Sequence, residues 1–312
     1  MNFVTGIPGL SRYAPTEPLW ADTMKSADFQ IVARTADELG YDALLVPEHI
    51  VLPTELATTM GAHWPHALTA MAFLAGATSR IRVLSAVVIL PAHNPIVLAK
   101  AIATLDVLSG GRVIVAVGVG HAKAEFDALG VPFKDRGRMA DEFLEAMPIL
   151  WGEDDPVFHG RFVNFEGIRF EPKPVQKPHP PLWIGGSSPA AMQRAARFGQ
   201  GWFPHLVSEA ELAGCLATLR ADPHFGDPQR PFDVMLSVSP VRVREGDHRP
   251  IDGGTGAPIP PLSAESAIDA VGRLAELGVN WTTVLYPGPP ARSLEEHLDR
   301  LAWVAEEIIA RT

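Results

Sequence analysis

Four times along the chain a helical pattern runs into a glycine and then straight on into a strand pattern. The joints are Glu38-Leu39-Gly40-Tyr41, Leu108-Ser109-Gly110-Gly111, Phe198-Gly199-Gln200-Gly201 and Glu276-Leu277-Gly278-Val279. Glycine suits the left-handed position just past a helix end. A strand that starts at once leaves no room for a hairpin, so the repeated joints predict βα units and a parallel sheet. Parallel α/β folds bind their ligands at the opposite end, where strands run into helices. Candidate functional residues are therefore sought in those loops.

Eight strand patterns are each followed by a helix: Asn2–Ile7, Tyr41–Val46, Ile81–Leu90, Arg112–Val117, Leu182–Ile184, Trp202–Phe203, Phe232–Val238 and Trp281–Leu285. That count favours a closed α/β fold, a TIM (β/α)8 barrel, over an open doubly wound sheet. Residues 1–312 read as a single domain, with insertion segments at the C-terminal face at about 50–66, 154–181 and 240–262. Pro47–Pro65 reads as a long loop, the segment after Gly118-Val119-Gly120 as irregular to Phe133, and Arg242–Pro261 as a loop. Val157–His159 and Arg161–Phe165 predict a small antiparallel excursion. Pro148 should kink the helix pattern Arg136–Trp151 or start a new turn within it.

With 47% apolar residues, the 312-residue chain can bury a large core. A net charge of −10 with scattered Lys and Arg excludes the basic face that nucleic acid requires and gives no support for an anionic membrane surface. Cys215 is the single cysteine, so no intrachain disulfide can form. It reads as a buried helix thiol among Leu212, Leu216 and Leu219. No basic segment followed by an apolar run marks a signal peptide, and a cytoplasmic location is expected.

Four strand ends carry chemistry. Val46-Pro47-Glu48-His49 puts a carboxylate and an imidazole on the catalytic rim, and His49 could move a proton during reaction. The alternative is a loop histidine bonded to a carbonyl. Gly185-Gly186-Ser187-Ser188-Pro189 lets the backbone turn into a helix with Ser188 as N-cap, which makes either an anion site or a plain capped turn. Gly118-Val119-Gly120-His121 lacks the third glycine of a dinucleotide fingerprint, since Lys123 stands there, but it allows close approach to a flat ring. Ser85, Ala86 and Val87 are small enough to admit a ligand, or are ordinary core alternation. His63 and His66 flank Trp64-Pro65 and complete no metal-ligand set, so no metal is expected. No Gly-x-Ser-x-Gly elbow marks a nucleophile.

Longer runs carry a resemblance. Ser79-Arg80-Ile81-Arg82, the run from Leu90 to Arg112, Val117–Gly120, Glu125-Phe126, Ala128–Phe133, Arg136-Gly137, Asp141-Glu142, Trp183–Ser187 and Gly201-Trp202 resemble the bacterial luciferase-like monooxygenase superfamily. The chain looks closest to its coenzyme F420-dependent oxidoreductases. The resemblance implies a TIM barrel with a deazaflavin across the carboxyl ends of the strands, and a homodimer. It implies His49 as proton donor or acceptor, with Glu48 setting its tautomer and pKa or meeting the ring. Ser85, Ala86, Val87, Gly120, His121 and Trp202 would line the cofactor site, with a non-prolyl cis peptide near Ala86-Val87. Gly185, Gly186 and Ser187 would take the phosphate. Where some members place a glutamate proton donor, this chain has His121. The expected function is deazaflavin-dependent hydride transfer to or from a small organic substrate. The alternatives are an FMN-dependent monooxygenase using oxygen and a non-catalytic flavin-binding protein.

Overall fold

The computed structural model describes residues 1–12, 19–205, 207–225, 231–238, 242–244, 247–251, 263–286 and 291–312. Eight parallel strands form its centre: β1 (Asn2–Gly6), β2 (Ala43–Val46), β3 (Arg82–Ser85), β4 (Val113–Gly118), β5 (Leu182–Gly185), β6 (Gly201–Phe203), β7 (Asp233–Val234) and β8 (Trp281–Thr282). They pair in sequence order, and β8 returns to β1 through Asn2 opposite Trp281. Met235 bridges to Trp281, and the Leu236 amide donates to the Trp281 carbonyl at 3.0 Å, which closes the ring between β7 and β8. The expected TIM barrel is the observed fold.

Ten helices surround it among the described residues: α1 (Ser26–Glu38), α2 (Thr54–Met60), α3 (Ala67–Ala77), α4 (Pro95–Ser109), α5 (Lys123–Ala128), α6 (Arg136–Gly152), α7 (Pro189–Phe198), α8 (Glu209–Ala221), α9 (Ala264–Leu277) and α10 (Leu294–Glu307). Their starts are chemically marked. Asn94 accepts from the amides of Ile96 and Val97 with Pro95 as first helical residue, and Ser188 accepts from Ala191 with Pro189 likewise. α6 runs through Pro148 without interruption. An interior proline costs about 3 kcal/mol. Burial of Phe143, Leu144, Met147, Leu150 and Trp151, at roughly 2 kcal/mol each, outweighs it.

Three of the four joint glycines take the left-handed backbone: Gly40 (φ 88°), Gly110 (φ 67°) and Gly278 (φ 96°). Gly199 is instead extended at φ −81°. A Cβ there would lie 2.8 Å from the Ala195 carbonyl oxygen, so this glycine answers to space rather than to dihedral angle.

Several segments differ from expectation. Strand three ends at Ser85, and after Ala86-Val87, whose peptide is cis, a separate strand Val88–Ile89 pairs with β4. The loop 47–65 contains α2, and the irregular stretch after Gly120 contains α5. The excursion forms as Phe158–His159 against Asn164–Phe165. It does not sit on the C-terminal face. The segment 154–181 joins the end of α6 to the start of β5, so it leaves from the opposite rim. Glu142 on α6 holds the excursion by accepting the Phe162 and Val163 amides at 2.6 and 2.7 Å, and Gln176 holds the Pro-rich run by bonding Asp106. The expected loop Arg242–Pro261 begins as two antiparallel strands, Arg242–Arg244 and Asp247–Ile251, and residues 252–262 lie outside the described residues. No helix among the described residues is long and apolar enough to cross a membrane.

Side chains alternate along each strand. Phe3, Leu44, Val83, Val115, Ile184 and Trp202 face the helices and join the outer core. Val4, Ala43, Leu84, Ile114, Ala116, Trp183, Met235 and Trp281 face inward and fill the barrel's lower part. Trp183 and Trp281 meet edge to face with centroids 5.2 Å apart.

Candidate active site

Continuing the inward alternation toward the C-terminal rim brings up glycine on three strands, Gly6, Gly118 and Gly185, beside Leu45 and Phe203. A Cβ on Gly6 would meet nothing within 4 Å. A Cβ on Gly118 would lie 2.8 Å from Val87 Cγ2, and one on Gly185 would lie 3.0 Å from Val87 Cγ1. The barrel is thus packed below and shallow above, with Val87 seated between two bare strand ends. Side chains on Gly118 and Gly185 would displace Val87, whose apolar surface between them suits the face of a flat ring.

His49 leaves the end of β2 and is nearly buried, with 9% of its surface exposed. Its Nδ1 lies 3.1 Å from Glu125 Oε2. Glu125 is fully buried on α5, and its Oε1 accepts the Ile50 and Val51 amides at 2.7 and 3.3 Å. An acceptor so placed keeps a hydrogen on Nδ1, which leaves Nε2 as the basic nitrogen of the neutral ring. Nε2 makes no hydrogen bond with any described residue. The rings of Trp64 and His121 stand edge-on to His49 at 4.9 and 5.7 Å. Crowding within the mouth, and then the neighbouring His49, push the His121 imidazole below its ordinary pKa, although its outer edge meets solvent. Neutral at pH 7, His121 can accept or relay a hydrogen bond on the rim.

Glu48, expected to orient His49, turns the other way. Its Oε1 accepts the Ala67 amide, and its Oε2 accepts the Ile89 amide and faces His93 Nε2 at 2.9 Å. Burial pulls its carboxyl up, but His93 and the two amides outweigh burial and hold it below the usual range. The tautomer of His49 is therefore set by Glu125, which lies 76 positions along the chain, and not by its sequence neighbour.

The other expected positions divide. Gly186, at φ 106°, turns the chain after β5, with its amide on the Phe203 carbonyl. The Ser187 hydroxyl donates to the His205 carbonyl and accepts the His205 amide. Trp202 is buried behind this turn, its indole donating to the Gly186 carbonyl at 2.8 Å, so it braces the turn from the helix side. The Ser85 hydroxyl is spent on the Ala116 carbonyl at 2.8 Å. Gly120 is bare because a Cβ would lie 2.6 Å from the Phe126 ring. Ala86 and Val87 lie on the rim of the mouth between β3 and Val88–Ile89. Sequence reasoning gave no role to His93, nor to Glu125 as the partner of His49, although both lie in the matching runs. No group of three or more metal-binding side chains occurs among the described residues.

The family model for luciferase-like monooxygenases matches residues 10–249. A protein of Mycobacterium tuberculosis is 33% identical over 286 residues, 86% of this chain and 91% of that one. The FMNH2-dependent dimethylsulfone monooxygenase of Pseudomonas putida is 34% identical over 226 residues, 71% of this chain and 60% of that enzyme. Two solved structures share the fold. The monooxygenase RslO1 of Streptomyces bottropensis has a TM-score of 0.76 at 22% identity, covering 100% of this chain and 99% of that one. The coenzyme F420-dependent tetrahydromethanopterin reductase of Methanopyrus kandleri has a TM-score of 0.72 at 17% identity, covering 99% of each chain. With the matching model spanning most of its length, the chain belongs to the luciferase-like monooxygenase family, whose members are oxidoreductases.

Proposed function

We propose that the protein is a deazaflavin (coenzyme F420)-dependent oxidoreductase that transfers hydride to or from a small organic substrate, with His49 exchanging the accompanying proton. The observation that carries this reading is the Glu125–His49 pair, whose Nε2 is left open beside a glycine-floored mouth. The residues that would hold the ring are Val87, Gly118 and Gly185 beneath it, with Gly186 and Ser187 toward an anionic tail. The ring, when bound, supplies or receives the hydride. The chain supplies position and proton. When a substrate carbonyl or similar acceptor is reduced, protonated His49 delivers the proton from Nε2. When an alcohol is oxidised, neutral His49 takes the hydroxyl proton at the same atom. Glu125 holds the imidazole in one tautomer and orientation through either direction. Trp64 covers the ring of His49 and limits water there.

A second reading, an FMN-dependent monooxygenase using oxygen, is favoured by the 34% identity to the FMNH2-dependent enzyme. Titrating the protein with reduced and oxidised forms of each ring, followed by oxygen-uptake measurement, separates the two. Tight binding of the deazaflavin without oxygen uptake supports the first reading. Flavin binding with substrate-dependent uptake replaces it with the second. Binding without turnover across a broad substrate panel would leave a cofactor-carrying protein.

The homodimer is part of the same reading. Neighbouring helices α3 and α4 keep Phe73, Val97, Val107 and Leu108 exposed on their outer side, and a second copy would cover them. Sedimentation equilibrium at micromolar concentration should give twice the chain mass, and a monomer there removes the dimer from the proposal.

A further inference from the structure

Glu48 holds together parts of the mouth that are far apart in sequence. Only 4% of its surface is exposed, yet it takes three donors from two separate stretches of the chain. Ala67 is the first residue of α3, Ile89 belongs to the strand that follows Val87, and His93 ends the short turn Leu90–Ala92. Glu48 is also one peptide bond from His49. The two features that would face a ring, the imidazole and the Val87 side chain, thus hang from opposite ends of one carboxylate. Val87 is two residues before Ile89 and packs onto the bare positions of Gly118 and Gly185. Ile89 in turn fills the space above Gly120, where a Cβ would lie 2.8 Å from its Cγ2. His93 keeps 13% of its side chain exposed and packs edge-on to His66 at 5.6 Å.

Resting on the reading of the mouth as a flavin-type ring site, we propose that Glu48 and His93 form a positioning pair that fixes the gap between His49 and Val87. Neither touches the ring, and neither exchanges the proton of the reaction. Both Glu48 oxygens are occupied by donors, so the carboxylate is not free to meet a ring edge. His93 completes the set. Without its Nε2 the Oε2 atom keeps only the Ile89 amide, and the segment carrying Val87 loses one of its two ties to the β2 loop.

The test compares His93→Phe, which keeps a ring against His66 but removes the donor, with His93→Gln, whose amide can still donate. Binding of the deazaflavin and of FMN is followed by fluorescence titration, with melting temperature recorded for each variant. The Phe variant should bind the preferred ring about tenfold more weakly, the loss expected of one hydrogen bond to a buried carboxylate. The Gln variant should recover binding to within about threefold of the unchanged protein. The pH dependence of turnover should keep its position in both, because the proton-exchanging imidazole is untouched. Unchanged affinity in a folded Phe variant, a Gln variant no better than Phe, or a displaced pH profile would overturn the positioning pair. Should the Phe variant not fold, the Gln variant decides alone, since the pair requires near-normal binding from it. If the unchanged protein binds neither ring, the reading of the mouth falls as well; if it binds and the variants do not differ, only the pair falls.

Discussion

The two ends of the barrel bury carboxylates equally well and use them differently. At the N-terminal end Asp37 accepts the amides of Ser79 and Ile81 at 2.7 and 2.8 Å, and Asp106 accepts both the amide and the side chain of Gln176. Arg112 caps the same region, donating to the carbonyls of Ala75, Ser109 and Ile81. Burial raises the carboxyl of Asp37, but the amides of Ser79, Ile81 and Arg80 bring it below its ordinary value. None of the donors on these two carboxylates changes charge near neutral pH. At the C-terminal end Glu48 and Glu125 are as deeply buried, but each shares its oxygens between backbone amides and an imidazole. Saturation by fixed donors makes an anchor. Sharing an oxygen with an imidazole instead ties the carboxylate to the side chains of the mouth. Parts of the runs that carry the family resemblance, Ser79–Arg82 and the stretch ending at Arg112, belong to the anchoring end.

Breaking an anchor should cost the most. Asp37→Ala leaves three amides without an acceptor, and unfolding in urea should show a loss of about 4 kcal/mol at unchanged slope. If the folded variant instead kept its stability and lost turnover, the division between the ends would fail. His49→Ala should lower turnover about 100-fold or more, and near-normal rates would remove it from the chemistry. Glu125→Gln sharpens the comparison further. Its amide nitrogen, turned toward Nδ1, would force the hydrogen onto Nε2, and turnover should drop about tenfold with ring affinity held within about threefold. Loss of affinity without loss of rate would make Glu125 an anchor like Asp37.

The smallest effect concerns a histidine outside both sets. Burial, and then nearby Arg300, push His297 on α10 down to about 4, and its buried Nε2 has no partner among the described residues. Its folded pKa is thus depressed below the unfolded value. The stability it contributes is complete above about pH 6.5 and is lost as pH falls from there toward 4. Between pH 7.5 and 5.5 that loss is about 1 kcal/mol. Melting curves of His297→Leu should lack this component, and identical pH slopes in the two proteins would dismiss it.

The barrel was legible because a glycine-terminated helix followed at once by a strand has few solutions, and its period repeats. The site was legible only where chemistry and chain position coincide, as at His49. Glu48 and His49 were read together because they are neighbours, but successive residues in an extended segment point to opposite sides. One meets α5 and the other meets α3 and the strand after Val87. Glu125 sits on a helix of six residues, too short for any periodic pattern to mark it. The 154–181 segment was assigned to the wrong face, although its place between the helix pattern ending at Trp151 and the strand pattern Leu182–Ile184 already puts it at the N-terminal end. Gln176 reaching Asp106 and the Val113 carbonyl, and Glu142 taking the Phe162 and Val163 amides, hold it there.

Trp183 lies one inward step below Gly185 and against Trp281, and neither indole nitrogen has a partner among the described residues. Indole emission in the near ultraviolet overlaps the absorption of flavin-type rings. A ring coming to rest on the mouth would draw off that light. The chain therefore carries its own optical gauge of occupancy, readable without any label and before a substrate is known.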